Sequence, residues 1–98
     1  MRSYEIVLKR RAIEDLDRLR KYDATQIADA MEKHRTHGPT KESRSRIKRL
    51  RGISDPDYRL RVGDHRVFYS VDQEELRVEV LRVMHKSETQ EYYEELER

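Results

Sequence analysis

The sequence predicts an α+β domain: a small, mostly antiparallel sheet with an N-terminal helical hairpin packed on one face and a short C-terminal helix. Three observations lead there. A strand pattern is followed by two stretches of helical period. The remainder reads as short strands punctuated by Gly and Asp. No repeat, low-complexity tract or linker divides the 98 residues, so residues 1–98 are read as one domain.

In chain order, Tyr4, Ile6 and Leu8 alternate as a strand does. From about Lys9 the period changes, and Ala12, Ile13, Leu16 and Leu19 share one helical face. Asp23 and Gln26 form a capping-box pattern ahead of Ile27, Ala28 and Met31, so a second helix is expected to start there. It should stop before Gly38-Pro39, which gives a hairpin over about residues 9–36. Residues 40–46 are polar and read as a loop. Strands are then expected at Ile47–Leu50, Tyr58–Val62, His65–Val71 and Leu76–Val83. Gly63-Asp64 suits a two-residue type II′ turn, and Asp72–Glu75 forms the next connection. Ser87 and Gln90 give a second capping-box pattern, with Tyr92, Tyr93 and Leu96 at helical spacing behind it.

Composition narrows the function classes. Hydrophobic residues are 35% and charged residues 43%, so the core is small and the surface dense in charge. Leu, Ile, Val and Phe still number 21, and the net charge of +2 is low, which argues against disorder. The longest apolar run, Ile6-Val7-Leu8, excludes a membrane helix. No apolar segment follows Met1, so no secretory signal is read and a cytoplasmic protein is expected. The absence of cysteine excludes disulfides and thiolate metal sites. His34 and His37 sit three apart but lack a third ligand, so no metal is expected and both are read as surface residues. No glycine-rich phosphate loop, nucleophilic triad or carboxylate pair is present, and no cofactor is expected.

The charge is unevenly spread. Residues 41–66 hold nine Lys/Arg against four acids, whereas residues 88–98 hold five Glu and one Arg. The Gly63-Asp64 turn sets a register in which Arg61 faces Arg66 and Arg59 faces Phe68. One face then carries Tyr58, Leu60, Val62, Val67, Tyr69 and Val71 beneath the helices. The other carries Arg59, Arg61, Arg66 and Phe68. With a four-residue loop at 72–75, Val67 would pair with Val80 and Tyr69 with Val78. That adds Leu81 and Val83 to the arginine face, with Glu79 as its nearest acid. Like charges facing each other on a sheet repel, so the arrangement reads either as a solubilising surface or as a site for a bound anion. Three guanidiniums around an aromatic ring suit a phosphodiester and a stacked base. Arg49, Arg51 and His85 extend this expected RNA-binding surface.

The stretches Leu50-Arg51-Gly52, Tyr58-Arg59-Leu60-Arg61-Val62-Gly63-Asp64-His65-Arg66-Val67-Phe68-Tyr69 and Val80-Leu81-Arg82-Val83-Met84-His85-Lys86 resemble the RelE/ParE toxins of prokaryotic toxin–antitoxin pairs. The resemblance spans nearly the whole chain and separates the branches poorly. For the RelE branch it implies a ribosome-dependent messenger RNA endoribonuclease that inhibits translation. In that chemistry a 2′-hydroxyl attacks the adjacent phosphate. Carried over by position, the catalytic set is Arg59, Arg61, Arg66, Lys86 and Tyr92. In members with a shorter spacing the tyrosine falls at Gln90. The family often has lysine where this chain has Arg59 and Arg61, and arginine is a poor base. Lys86 is then the expected base if its pKa is depressed, with His85 secondary. For the ParE branch the resemblance implies a non-enzymatic DNA gyrase poison. A third reading is a degenerate toxin that keeps only antitoxin binding. All three imply an antitoxin that wraps the chain with an amphipathic helix or strand. The chain's own acidic tail, through Glu91, Glu94 and Glu95, is a second expected cover for the arginines.

Overall fold

The computed structural model describes residues 3–43, 46–53 and 55–97, with residues 35–37 described by backbone alone. The elements are β1 (Glu5–Leu8), α1 (Arg10–Asp17), α2 (Lys21–His37), β2 (Ile47–Arg49), β3 (Tyr58–Val62), β4 (His65–Asp72) and β5 (Arg77–His85). A 3-10 turn (Lys86–Glu88) leads into α3 (Thr89–Leu96). The strands form one sheet in the order β1-β5-β4-β3-β2. β1 runs parallel to β5, and the other pairs are antiparallel. None of the described helices is long and apolar enough to cross a membrane.

The helical hairpin lies on one face of the sheet, as the periodicity predicts. Ala12 and Ile27 are fully buried against Ile47, Tyr58, Leu60, Val67, Tyr69, Val78 and Val80. α1, of eight residues, is marginal alone, so this apolar seam is what holds it. The Tyr58 and Tyr69 rings stack at 5.5 Å, and the Tyr69 hydroxyl donates to the Pro39 carbonyl at 2.6 Å. That bond ties the exit of α2 to the sheet. Gly38 has φ 102, the left-handed backbone expected of a glycine helix end.

The β3–β4 hairpin has the register the turn predicts, including Arg61 opposite Arg66 and Arg59 opposite Phe68. Gly63 has φ 58 while Asp64 stays negative, as a type II′ turn requires. The β4–β5 register differs from the expected one. Tyr69 pairs with Val80, and Val67 pairs with Val83. Two features cause the shift. Asp72 accepts the Glu74 and Glu75 N–H groups and itself pairs with Arg77, so the loop is 73–76 and ends on Leu76 at φ 54. A bulge then interrupts the ladder where Phe68 faces Arg82 and Tyr69 faces Val80, leaving Leu81 as the extra residue. The bulge reverses the alternation beyond it. Val83 therefore enters the core beneath the helices, and Arg82 and Met84 take the places expected for Leu81 and Val83.

Both helix starts also move. Arg20 caps α2, which makes Asp23 a third-position residue whose carboxylate accepts from Arg20 Nε at 3.2 Å. At the C-terminal end the box is built from His85 and Glu88 rather than Ser87 and Gln90. His34 is half-buried, and the side chain of His37 lies outside the described residues.

On the sheet's second face, α3 covers Phe68. That ring is fully buried and meets Tyr92 edge-on at 4.8 Å and Tyr93 at 5.8 Å, with Met84, Leu50 and Leu96 around them. The sheet is thus covered on both sides at its centre. Toward β2 and β3 the second face stays open.

Candidate nucleic-acid interface

The registers set out the open face as two cross-strand rows. One runs Lys48, Arg59, Phe68, Arg82. In the other, Arg61, Arg66 and Met84 follow Arg46, whose carbonyl accepts the Arg61 N–H at 2.8 Å. Every position contributed by β2 and β3 is cationic. The side chains border a groove of about 560 Å³ lined by Arg46, Lys48, Arg51, Arg59, Arg61 and Arg66 among others. Among the described residues Glu42 is the one acid in its lining, and its Oε1 already accepts the Arg49 N–H at 2.7 Å.

The three expected guanidiniums therefore share one site. Burial holds the Arg66 guanidinium below its ordinary pKa, and the charges of Arg59 and Arg61 push the same way. Arg66 stays charged and is held in place, with Nη1 donating to the carbonyls of Gly63 at 3.0 Å and His65 at 2.9 Å. Among the described residues none of the three forms an ion pair, and the buried Nε of Arg59 has no acceptor. Glu79, the expected neutralising acid, faces Ser70 and stands 3.3 Å from Arg77 instead. An anion lying along the groove would relieve this repulsion, which the fold alone leaves uncompensated.

The remaining expected site residues divide. Arg51 is exposed and lines the groove. Arg49 lines it too, but its guanidinium sits 5.4 Å over the Tyr58 ring and donates to the Tyr58 hydroxyl at 3.0 Å. Lys86 is not among the groove's lining residues. Its Nζ pairs with Asp64 at 3.4 Å across the hairpin turn, and this hydrogen bond holds the Asp64 carboxyl below its usual range. His85 serves as a cap, its Nδ1 accepting from the Ser87 N–H at 3.1 Å, and its ring stands edge-on to His65.

Two assignments are corrected outright. Phe68 cannot stack on a base while α3 lies over it, because none of its surface is exposed. Tyr92 belongs to the same apolar cluster and is 8% exposed, so its phenol does not open onto the groove. Burial pushes that phenol up to about 12, against a weaker opposing effect of Arg82. Burial also raises the Tyr69 phenol. Both groups are neutral when folded and ionise more readily when unfolded, so stability should hold below about pH 10 and fall as pH rises toward 12. Thermal melts from pH 8 to 12 check this; a flat profile above pH 10 would contradict it.

The acidic tail covers the face differently from expectation. α3 contacts the sheet through its aromatic side, and among the described residues no ion pair joins Glu91, Glu94 or Glu95 to Arg59, Arg61 or Arg66.

Three groove residues escaped the sequence reading: Arg46, Lys48 and Tyr93. The eight residues between β2 and β3 concealed that register. With it, Arg46 and Lys48 fall on the arginine face by simple alternation. Tyr93 is half-buried and lines a second groove of about 410 Å³, which shares Lys48, Arg49, Arg51 and Arg59 with the first. The helical spacing marks both Tyr92 and Tyr93 and does not say which one faces the cations.

Similarity to known proteins converges on one fold. A RelE mutant from Escherichia coli in the free state superposes with a TM-score of 0.74 at 28% identity, over 97% of this chain and 95% of that one. The RelE of the RelE–RelB complex from Pyrococcus horikoshii OT3 gives 0.70 at 23% identity, over 87% and 97%. YoeB from Staphylococcus aureus, solved as a dimer, gives 0.64 at 19% identity, over 86% and 98%. No curated protein matches in sequence. The profile of the ParE toxin of the type II toxin–antitoxin system parDE matches residues 6–90. With most of its length matched by that profile and its sheet and helices arranged as in RelE, the chain belongs to the RelE/ParE superfamily of type II toxins.

Proposed function

We propose that this toxin is a ribosome-dependent endoribonuclease acting on translated messenger RNA in the cytoplasm, held inactive by a cognate antitoxin. The observation that carries the reading is the row of Arg61 opposite Arg66, flanked by Arg59, Arg46 and Lys48, in a groove where, among the described residues, Glu42 is the one acid and forms no ion pair with Arg59, Arg61 or Arg66. In the proposed reaction a ribose 2′-oxygen attacks the neighbouring phosphorus. The bond to the 5′-oxygen breaks, leaving a cyclic phosphate and a 5′-hydroxyl. Charge grows on the phosphoryl oxygens, and fixed guanidiniums stabilise it. Proton transfer falls to Lys48 and Tyr93, which line the joined grooves, rather than to Lys86 or Tyr92.

The position of Lys86 on Asp64 and the burial of Tyr92 favour a second reading, a non-enzymatic gyrase poison. One experiment separates them. In a translating extract the nuclease yields codon-dependent cuts with 5′-hydroxyl ends and leaves gyrase supercoiling intact. Loss of supercoiling without cuts would replace this reading with the second.

A further inference from the structure

Where β1 ends, α1 passes the exposed edge of β5. The Asp15 carboxylate takes the place of the missing strand there, accepting the Val83 N–H at 2.9 Å. The same carboxylate binds Arg82 in two-point fashion, from Nε at 2.7 Å and Nη2 at 3.2 Å. Asp15 is 8% and Arg82 16% exposed at the side chain, so water screens the pair little. Arg82 in turn lies over the Tyr92 ring at 5.5 Å. A chain of contacts thus runs from α1, round the sheet edge, to α3.

The next residue along α3 is Tyr93, which lines the second groove together with Arg59. α3 is eight residues long and rests on one aromatic cluster. A helix this short keeps its place through such contacts, since its own hydrogen bonds are marginal in water. Asp15 neutralises Arg82, so this arginine does not add to the groove's anion-binding charge. Its planar group is instead fixed for stacking.

We propose that Arg82 is a positioning residue, clamped by Asp15, that holds α3 so that Tyr93 borders the cationic groove. Its catalytic consequence rests on the nuclease reading above, whereas the clamp itself does not. Lysine keeps the charge toward Asp15 but loses the planar stacking, so Arg82→Lys tests the clamp with the least damage.

The test uses the full chain in two arms. In hydrogen exchange, Arg82→Lys should speed exchange of amides in residues 89–97 at least tenfold while β3 and β4 stay protected. Unchanged exchange in α3, or equal acceleration through the sheet, would overturn the clamp. In messenger RNA cleavage, Arg82→Lys should lower the rate at least fivefold, with RNA affinity within twofold. In a Tyr93→Phe background the same substitution should change the rate less than twofold. Equal losses in both backgrounds would show general damage and overturn the positioning role. If the wild-type chain cuts no RNA, the nuclease reading falls, and the exchange arm still decides the clamp.

Discussion

Replacing Arg61 and Arg66 together by alanine is expected to lower RNA cleavage by roughly 10³–10⁴-fold, since losing one fixed charge-stabilising donor costs about 10²–10³-fold. The effects of paired donors overlap, so the double loss should fall short of the product of the two single losses. The pair sits directly across the β3–β4 ladder, and Arg59 is one step along. These charges repel one another, so removing two should leave the fold intact or slightly firmer. This sign is diagnostic. A surface salt-bridge network would lose stability on the same substitution, whereas a site built for a polyanion loses activity and keeps its fold. Thermal melts and product mapping on the same preparation measure both. A rate within tenfold of wild type would remove the arginines from the chemistry.

The second large effect concerns stability. Phe68→Ala should destabilise the chain by about 3–5 kcal/mol, the usual range for deleting a buried aromatic ring. Phe68 is fully buried, and its ring is the floor on which Tyr92 and Tyr93 rest. For a chain of this size each kcal/mol moves the melting temperature by about 4–8 °C, so a fall of more than about 12 °C is expected. If Phe68 were an exposed stacking platform, the melt would barely change and RNA affinity alone would drop. The two outcomes separate a core residue from a base-stacking one. α3 should also lose amide protection before the sheet does, because its apolar contacts are with this cluster.

Much of the fold was legible because strong local signals govern it. A two-residue turn with glycine first fixes a hairpin register with no freedom to slip, and β3–β4 follows it residue for residue. β5 was harder. Its apolar positions step from Val78 to Val80 and then to Val83, an odd interval that signals a bulge only to a reader who expects one. The left-handed Leu76 hides the loop boundary for a similar reason, since a leucine there looks like the first residue of a strand. Asp23 is the third-position residue of its helix, and sequence alone confuses that position with a cap; at the C-terminal end the box lies two residues earlier than Ser87 and Gln90 suggest, on His85 and Glu88.

The site was half legible. Alternation placed the arginines on one face, and the structure brings them together. Alternation also placed Phe68 there, correctly as to face, but said nothing of what lies above it. The signal was present: Val67, Phe68 and Tyr69 are consecutive and apolar, as in a strand covered on both sides. Tyr92, Tyr93 and Leu96 supply that cover. What a pattern of residues cannot show is which of two adjacent tyrosines turns inward, because that depends on where α3 docks.

The central claim is that the cations of β2, β3 and β4 grip a nucleic-acid backbone. The most direct measurement is the salt dependence of single-stranded RNA binding by the wild-type chain and the Arg61→Ala/Arg66→Ala double variant. Each phosphate neutralised on a single strand contributes about 0.7 to the slope of log affinity against log salt. The account predicts a steep slope for the wild type and one shallower by about 1.4 in the variant. An identical slope in both proteins would mean that RNA binds elsewhere, and would contradict it.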